Sequence, residues 1–201
     1  MESLPHDNSI EALWRPENRT GILKFASLRQ GSLEPRNTMR IVILVLSFLF
    51  VIAPAQAADC NAPAAAGVDW QRCYMDGRGF IDSTLSGSRL RETSFQRSDL
   101  SGADLRRVDG YRARFVSTRM RGTKLDDGQF SDADFTKADL AGASLARADL
   151  RRARFFHASL RGADLTGAKT QGAEMLGADL SGALWTDGVR RCAEGSIGQC
   201  N

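Results

Sequence analysis

Residues 131–150 read SDADF TKADL AGASL ARADL. Each group of five ends in a large apolar residue: Phe135, Leu140, Leu145 and Leu150. Each carries alanine in its third place: Ala133, Ala138, Ala143 and Ala148. A period of five matches neither the 3.6 of a helix nor the 2 of a plain strand. A chain that hides two residues in five, one large and one small, has to turn at regular intervals. It must then stack on itself, because no single turn buries its own apolar face.

The same register extends in both directions. Counted in fives from Gln71 to Trp185 there are 23 repeats without an insertion or deletion. The fifth place is a large apolar residue in all but Gly110 and Thr170, and the third is small in all but Arg78. From Ala133 to Ala183 it is always alanine. Between 106 and 130 the pattern loosens: Arg114, Arg119 and Lys124 stand where Asp is usual, and Gly110 leaves the axis underfilled. Phe130, twenty residues on, compensates in part, and a weak point or bend is expected there.

The strings SGADL (101–105), TKADL (136–140), ARADL (146–150), RGADL (161–165) and LGADL (176–180) resemble the pentapeptide-repeat family. The resemblance covers about residues 71–185. It implies an all-β solenoid, a right-handed quadrilateral β-helix in which four pentapeptides make one coil. Leu100, Leu105, Phe115, Leu140, Leu145 and Leu150 would then fill the axis, with Ala103, Ala113, Ala138 and Ala143 under the corners. The aspartates before the central leucines, such as Asp99, Asp104 and Asp149, are expected to accept hydrogen bonds from turn amides.

Outside the repeat, residues 41–52 (IVILVLSFLFVI) are an apolar run of twelve. A membrane-spanning helix needs about 20, so the run reads as the core of a signal peptide over 39–57. Ala55-Gln56-Ala57 supplies the small residues of a cleavage site. The expected mature chain is Ala58–Asn201, periplasmic or secreted, with no membrane span after cleavage. Residues 1–38 are expected to be a non-native or disordered extension, translation starting at Met39. Residues 58–70 read as a leader, 71–190 as the β-helix and 191–201 as a disulfide-closed tail.

The four cysteines, Cys60, Cys73, Cys192 and Cys200, all follow the cleavage point. An even number in an exported chain reads as disulfides. Three pairings are possible, and the two sequence-local pairs favour Cys60–Cys73 and Cys192–Cys200, a cap at each end. The absence of a CxxC pair argues against a metal site.

The net charge of +3 becomes about +2 once six basic and five acidic residues of 1–57 are removed. Some members of the family protect topoisomerases by mimicking DNA, which implies a strongly acidic cytoplasmic rod. Charge and export both argue against that here, and no nucleic-acid partner is expected. Residues twenty apart share a side, and no side forms a continuous stripe of one sign. Its arginines read as an ion-pair-laced surface, with Arg151 and Arg152 the place where a polyanion would bind. Val116, Phe156 and Leu176, with Thr136 between, align on one outward line, a candidate surface for a protein partner or a second copy. The sequence offers no catalytic constellation and no cofactor motif, and the lone histidine of the mature chain, His157, reads as solvent-facing. The expected role is a non-enzymatic structural or interaction scaffold of the bacterial cell envelope.

Overall fold

The computed structural model describes residues 57–201. The expected extension 1–38 and all of the expected signal peptide except Ala57 lie outside the described residues.

Every fourth residue of the repeat forms an isolated parallel β-bridge with the residue twenty positions on. This produces four ladders, named here by their first residues: Asp69, Tyr74, Gly79 and Thr84. Twenty residues therefore make one coil. The Asp69 ladder opens the series, and Gly67 and Trp70 already occupy repeat positions. Residues 66–185 thus form 24 turns, six complete coils, and AGVDW (66–70), which reads as leader in the sequence, is the first turn.

The main-chain hydrogen bonds explain the five-residue unit. In SGADL (101–105), the amides of Gly102 and Leu105 donate forward to the carbonyls of Arg121 (2.8 Å) and Lys124 (2.7 Å). The amide of Asp104 donates backward to Ser83 (2.9 Å), and that of Ala103 closes the turn onto Leu100 (3.0 Å). Only the first amide lacks a main-chain acceptor, and the preceding aspartate supplies one: Ser101 N–H donates to Asp99 Oδ1 at 3.0 Å. The same bond recurs at Asp104, Asp134, Asp139, Asp149, Asp164 and Asp179. Asp before the central leucine thus completes the accounting of a turn that would otherwise leave a donor orphaned.

The second residue of every turn has positive φ, and 13 of these residues are not glycine. Left-handed backbone is unfavourable for L-residues with a Cβ. It persists here because hydrogen bonds from both neighbouring coils fix the turn.

The fifth residues fill the axis in four columns, almost all fully buried. One column holds Phe95, Phe115, Phe135 and Phe155, whose rings lie nearly parallel at centroid distances of 5.5, 5.0 and 5.0 Å. The third residues are buried beneath the corners. Where a buried third residue beyond the first coil is Ser or Thr, its hydroxyl donates to the carbonyl 23 residues back, one coil below, as Thr118 does to Phe95 (2.7 Å) and Thr123 to Leu100 (2.8 Å), whereas Ser83 of the first coil donates to Phe80 (2.8 Å). Burial of these hydroxyls therefore leaves no unmet donor. Arg78, the large exception, is exposed in the first coil.

The expected weak point at Gly110 is filled. Phe130 sends its ring into the space left there, and the Asp69 ladder runs through from Arg89 to Asp109 to Gln129.

The ends are covered unequally. Disulfides join Cys60 to Cys73 and Cys192 to Cys200. At the start the leader is tied to the first coil by Cys60–Cys73 and by Asp59 N–H, which donates to the Asp69 carbonyl. Among the described residues, the amides of Tyr74, Gly79 and Thr84 reach no main-chain carbonyl. At the other end the tail turns back antiparallel, bridging Asp179 to Ile197 and Leu184 to Arg191. It leaves the amides of Thr170, Gly172, Met175 and Gly177 without main-chain acceptors among the described residues. The two expected pairs are formed, so a disulfide-tied segment lies at each end, though neither segment crosses all four sides. Among the described residues no helix is long and apolar enough to cross a membrane.

Candidate interaction surface

The outward corner between the Tyr74 and Gly79 sides carries Val116, Thr136, Phe156 and Leu176. The register places them one above another. Ser117 N–H donates to Thr136 O (2.9 Å), Lys137 N–H to Phe156 O (2.9 Å) and His157 N–H to Leu176 O (3.1 Å). Val116 is half-buried, while Phe156 and Leu176 remain 39% and 71% exposed. The His157 ring stands edge-on to Phe156 at 4.2 Å, and its Nδ1 lies where a side chain on Gly177 would begin. The corner is thus a continuous line of side chains on a main chain fixed from within.

Arg151 and Arg152 do not form a free cationic site. Arg151 holds Asp149, and Arg152 makes two bonds of 2.8 Å to Asp132. Among the described residues twelve arginines are paired with carboxylates, most of them within a coil or to the coil next door. These partners hold several aspartates below their ordinary range. Asp99 sits at about 2, first through the Ser101 hydroxyl and then through Arg119. Asp149 is lowered by Arg151 and Asp179 by Ser181.

Concavities among the described residues include these two. A groove of about 470 Å³ is bounded by Arg106, Arg107, Lys124, Asp126, Asp127 and Arg147. It is a charged groove in which Arg147 is bidentate on Asp127 and Asp126 accepts from the Ser144 hydroxyl. The second, about 350 Å³, lies between Met175, Trp185 and the Cys200 end of the tail. Among the described residues no group of His, Cys, Asp or Glu could hold a metal ion.

Sequence reasoning missed four exposed apolar residues at the ends: Tyr74, Ile81, Val189 and Ile197. Tyr74 and Ile81 stand at outward positions of the first coil, so the register alone was enough to find them. Val189 and Ile197 lie beyond the repeat, where no periodicity marks them.

The model of the family described as pentapeptide repeats matches in eight copies, over 80–109, 88–127, 113–152, 129–167 and 158–184. A search of curated protein sequences finds no match. Among solved structures the chain is similar to QnrB1, a plasmid-mediated fluoroquinolone resistance protein. The identity is 24% over 59% of this chain and 58% of that one, with a TM-score of 0.34. It is also similar to HetL, involved in heterocyst differentiation regulation in the cyanobacterium Nostoc sp. strain PCC 7120. That match has 22% identity over 61% and 91% of the two chains and a TM-score of 0.26. A third is a thylakoid-lumen pentapeptide repeat protein of Arabidopsis thaliana, at 22% identity over 53% and 68%, with a TM-score of 0.24. The chain thus spans less than two thirds of the QnrB1 chain.

Proposed function

The chain belongs to the pentapeptide-repeat family, and from that premise we propose that it is a non-enzymatic scaffold of the bacterial cell envelope that binds a protein along its Phe156 corner. We take the coil as a right-handed quadrilateral β-helix, a reading supported by its four parallel ladders at twenty-residue spacing. The observation that carries the function is the aligned stack of Val116, Phe156 and Leu176 along one corner. Single exposed apolar residues are ordinary, whereas an aligned set marks a contact surface.

Export is supported by the apolar run 41–52 followed by Ala55-Gln56-Ala57 and by the pairing of all four cysteines. Disulfides persist in oxidising compartments. The expected mature N-terminus is Ala58. No cofactor is required, since the role is mechanical: a stiff backbone holds side chains at fixed spacing.

The test combines fractionation with a photo-crosslinking amino acid at position 156 in the native host. A periplasmic or secreted product beginning at Ala58, with a protein adduct from position 156 and none from exposed position 129, supports the proposal. Retention of residues 1–38 in a stable cytoplasmic product, or equal labelling from both positions, overturns it.

A further inference from the structure

The four corners differ in how their charges are answered. On one, Arg72, Glu92, Arg112, Asp132 and Arg152 alternate in sign, with Arg72 on Glu92 and Arg152 on Asp132. On the next-to-last side, Asp127 answers Arg147. The Phe156 corner has no such balance. From residue 96 on, its turn residues are Gln96-Arg97, Val116-Ser117, Thr136-Lys137, Phe156-His157 and Leu176-Gly177. Arg97 and Lys137 are exposed, and among the described residues neither lies within ion-pairing distance of a carboxylate. Of the flanking carboxylates, Asp99 is held by Arg119, Asp139 by Arg121, Asp134 by Arg154 and Asp179 by Arg161, Asp76 of the first coil accepts from the Ser94 hydroxyl and the Gln96 amide, and Glu174 is exposed and, among the described residues, in no ion pair.

The corner therefore presents, coil by coil, Arg97, Val116, Lys137, Phe156 and Leu176: cation, apolar, cation, apolar, apolar. Stacked bridges are about 4.8 Å apart, so the line is about 19 Å long. An extended strand repeats its side chains on one face about every 6.7 Å and falls out of step after one coil. An α-helix repeats them once per turn, about every 5.4 Å, and stays within about half a turn over the whole line.

We infer that this corner docks an acidic amphipathic helix of a partner protein. Carboxylates two turns apart on the helix face Arg97 and Lys137, and apolar residues on the intervening and following turns lie against Val116, Phe156 and Leu176. Helices are read by such i, i+3/i+4, i+7 anchors, and complementary charge sets partner choice and encounter rate. The inference rests on the proposed role of this corner as a protein contact.

The test uses two labelled helical peptides of about 18 residues and the full chain, read by fluorescence anisotropy. One peptide carries Glu at i and i+7 and Leu at i+4, i+11 and i+14; the other has Lys in place of Glu. The acidic peptide is expected to bind, about tenfold more weakly to the Arg97→Ser/Lys137→Ser variant and to Phe156→Ser, and more weakly at high salt. Unchanged melting temperatures show that these exposed substitutions leave the fold intact. Equal affinity for both peptides, no binding of either, or indifference to the substitutions overturns the inference. Sequencing the partner segment crosslinked at position 156 separates the two levels. A segment that is not an acidic helix defeats this inference and leaves the interaction role standing, whereas failure of the crosslink defeats both.

Discussion

Phe130 occupies the space that a side chain at Gly110 would need. A Cβ built on Gly110 would lie 2.6 Å from Cδ1 of the ring, and one on Gly128 would lie 2.3 Å from Cε2. Gly110 and Phe130 are a volume exchange within the column Leu90, Gly110, Phe130, Leu150, and Gly128, at the corner of the Phe130 turn, makes room for the same ring. Gly110→Ala forces the ring to move and is expected to cost about 1–3 kcal/mol, as overpacking does. Adding Phe130→Leu should recover part of that loss, and a double-mutant cycle by denaturant unfolding measures the coupling. Additive effects would show that the two residues do not share this space.

Register is tested by neighbours two residues apart. Leu145 is fully buried on the axis, so Leu145→Asp buries a carboxylate without a partner and should prevent folding or lower stability by more than about 4 kcal/mol. Arg147 is exposed and paired with Asp127. Arg147→Asp removes one solvent-exposed ion pair and sets two aspartates together, a small loss beside that of Leu145→Asp. Thermal melts that match would contradict the register.

Acid should destabilise the protein in a defined window. Asp99 falls from 3.8 to about 2 in the folded chain through the Ser101 hydroxyl and Arg119, and Asp104, Asp149 and Asp179 are lowered in the same direction. A carboxyl with a lower pKa folded than unfolded stabilises the fold above the unfolded value, and that contribution disappears as pH falls through the folded value. Carboxylate-linked stability is therefore expected to be flat above about pH 5 and to fall between about pH 4 and 2. Asp99→Asn should make the fall shallower, as followed by melting temperature against pH.

Two glycines with open surroundings separate conformation from packing. A Cβ on Gly142 or on Gly79 meets nothing within 4 Å, but only Gly142 has a left-handed φ, of 67°. Gly142→Ala should cost about 1 kcal/mol, while Gly79→Ala should be neutral or slightly stabilising. Equal effects in denaturant titrations would show that the turn at 142 does not depend on its backbone conformation.

The tail is held by Cys192–Cys200 and by the hydrogen bonds from Leu180 and Gly182 to Ser196 and Cys192. Replacing both cysteines with serine should speed hydrogen exchange at Leu180 and Gly182 and leave Leu145 protected. The overall loss should be about 2–3 kcal/mol. Peptide mapping without reduction should recover Cys60 with Cys73 and Cys192 with Cys200.

The parts of the fold that were legible in the sequence are those that repeat. The fifth and third positions announced the axis and the corners, and the aspartates of SGADL and its relatives announced their amide partners. Spacing by twenty likewise located Val116, Phe156 and Leu176 on one line. The ends were harder to read: AGVDW (66–70) keeps the five-residue register, yet it is the Asp69–Arg89 bridge that assigns it to the first coil, and the tail's antiparallel return has no periodic signature. Arg97 and Lys137 look ordinary in the sequence. Only the ion pairs formed elsewhere reveal that, among the described residues, these two belong to the cations without a carboxylate partner.

Because a coil closes in twenty residues and a side in five, chain length acts on this molecule as an angle. Removing one pentapeptide, such as 141–145, would leave every apolar column filled yet carry all later residues a quarter turn around the axis. Phe156 would then leave the line of Val116 for an adjacent corner. Removing four pentapeptides would restore the alignment and shorten the stack by one layer. Insertions and deletions in such a chain index its surface while its interior hardly registers them.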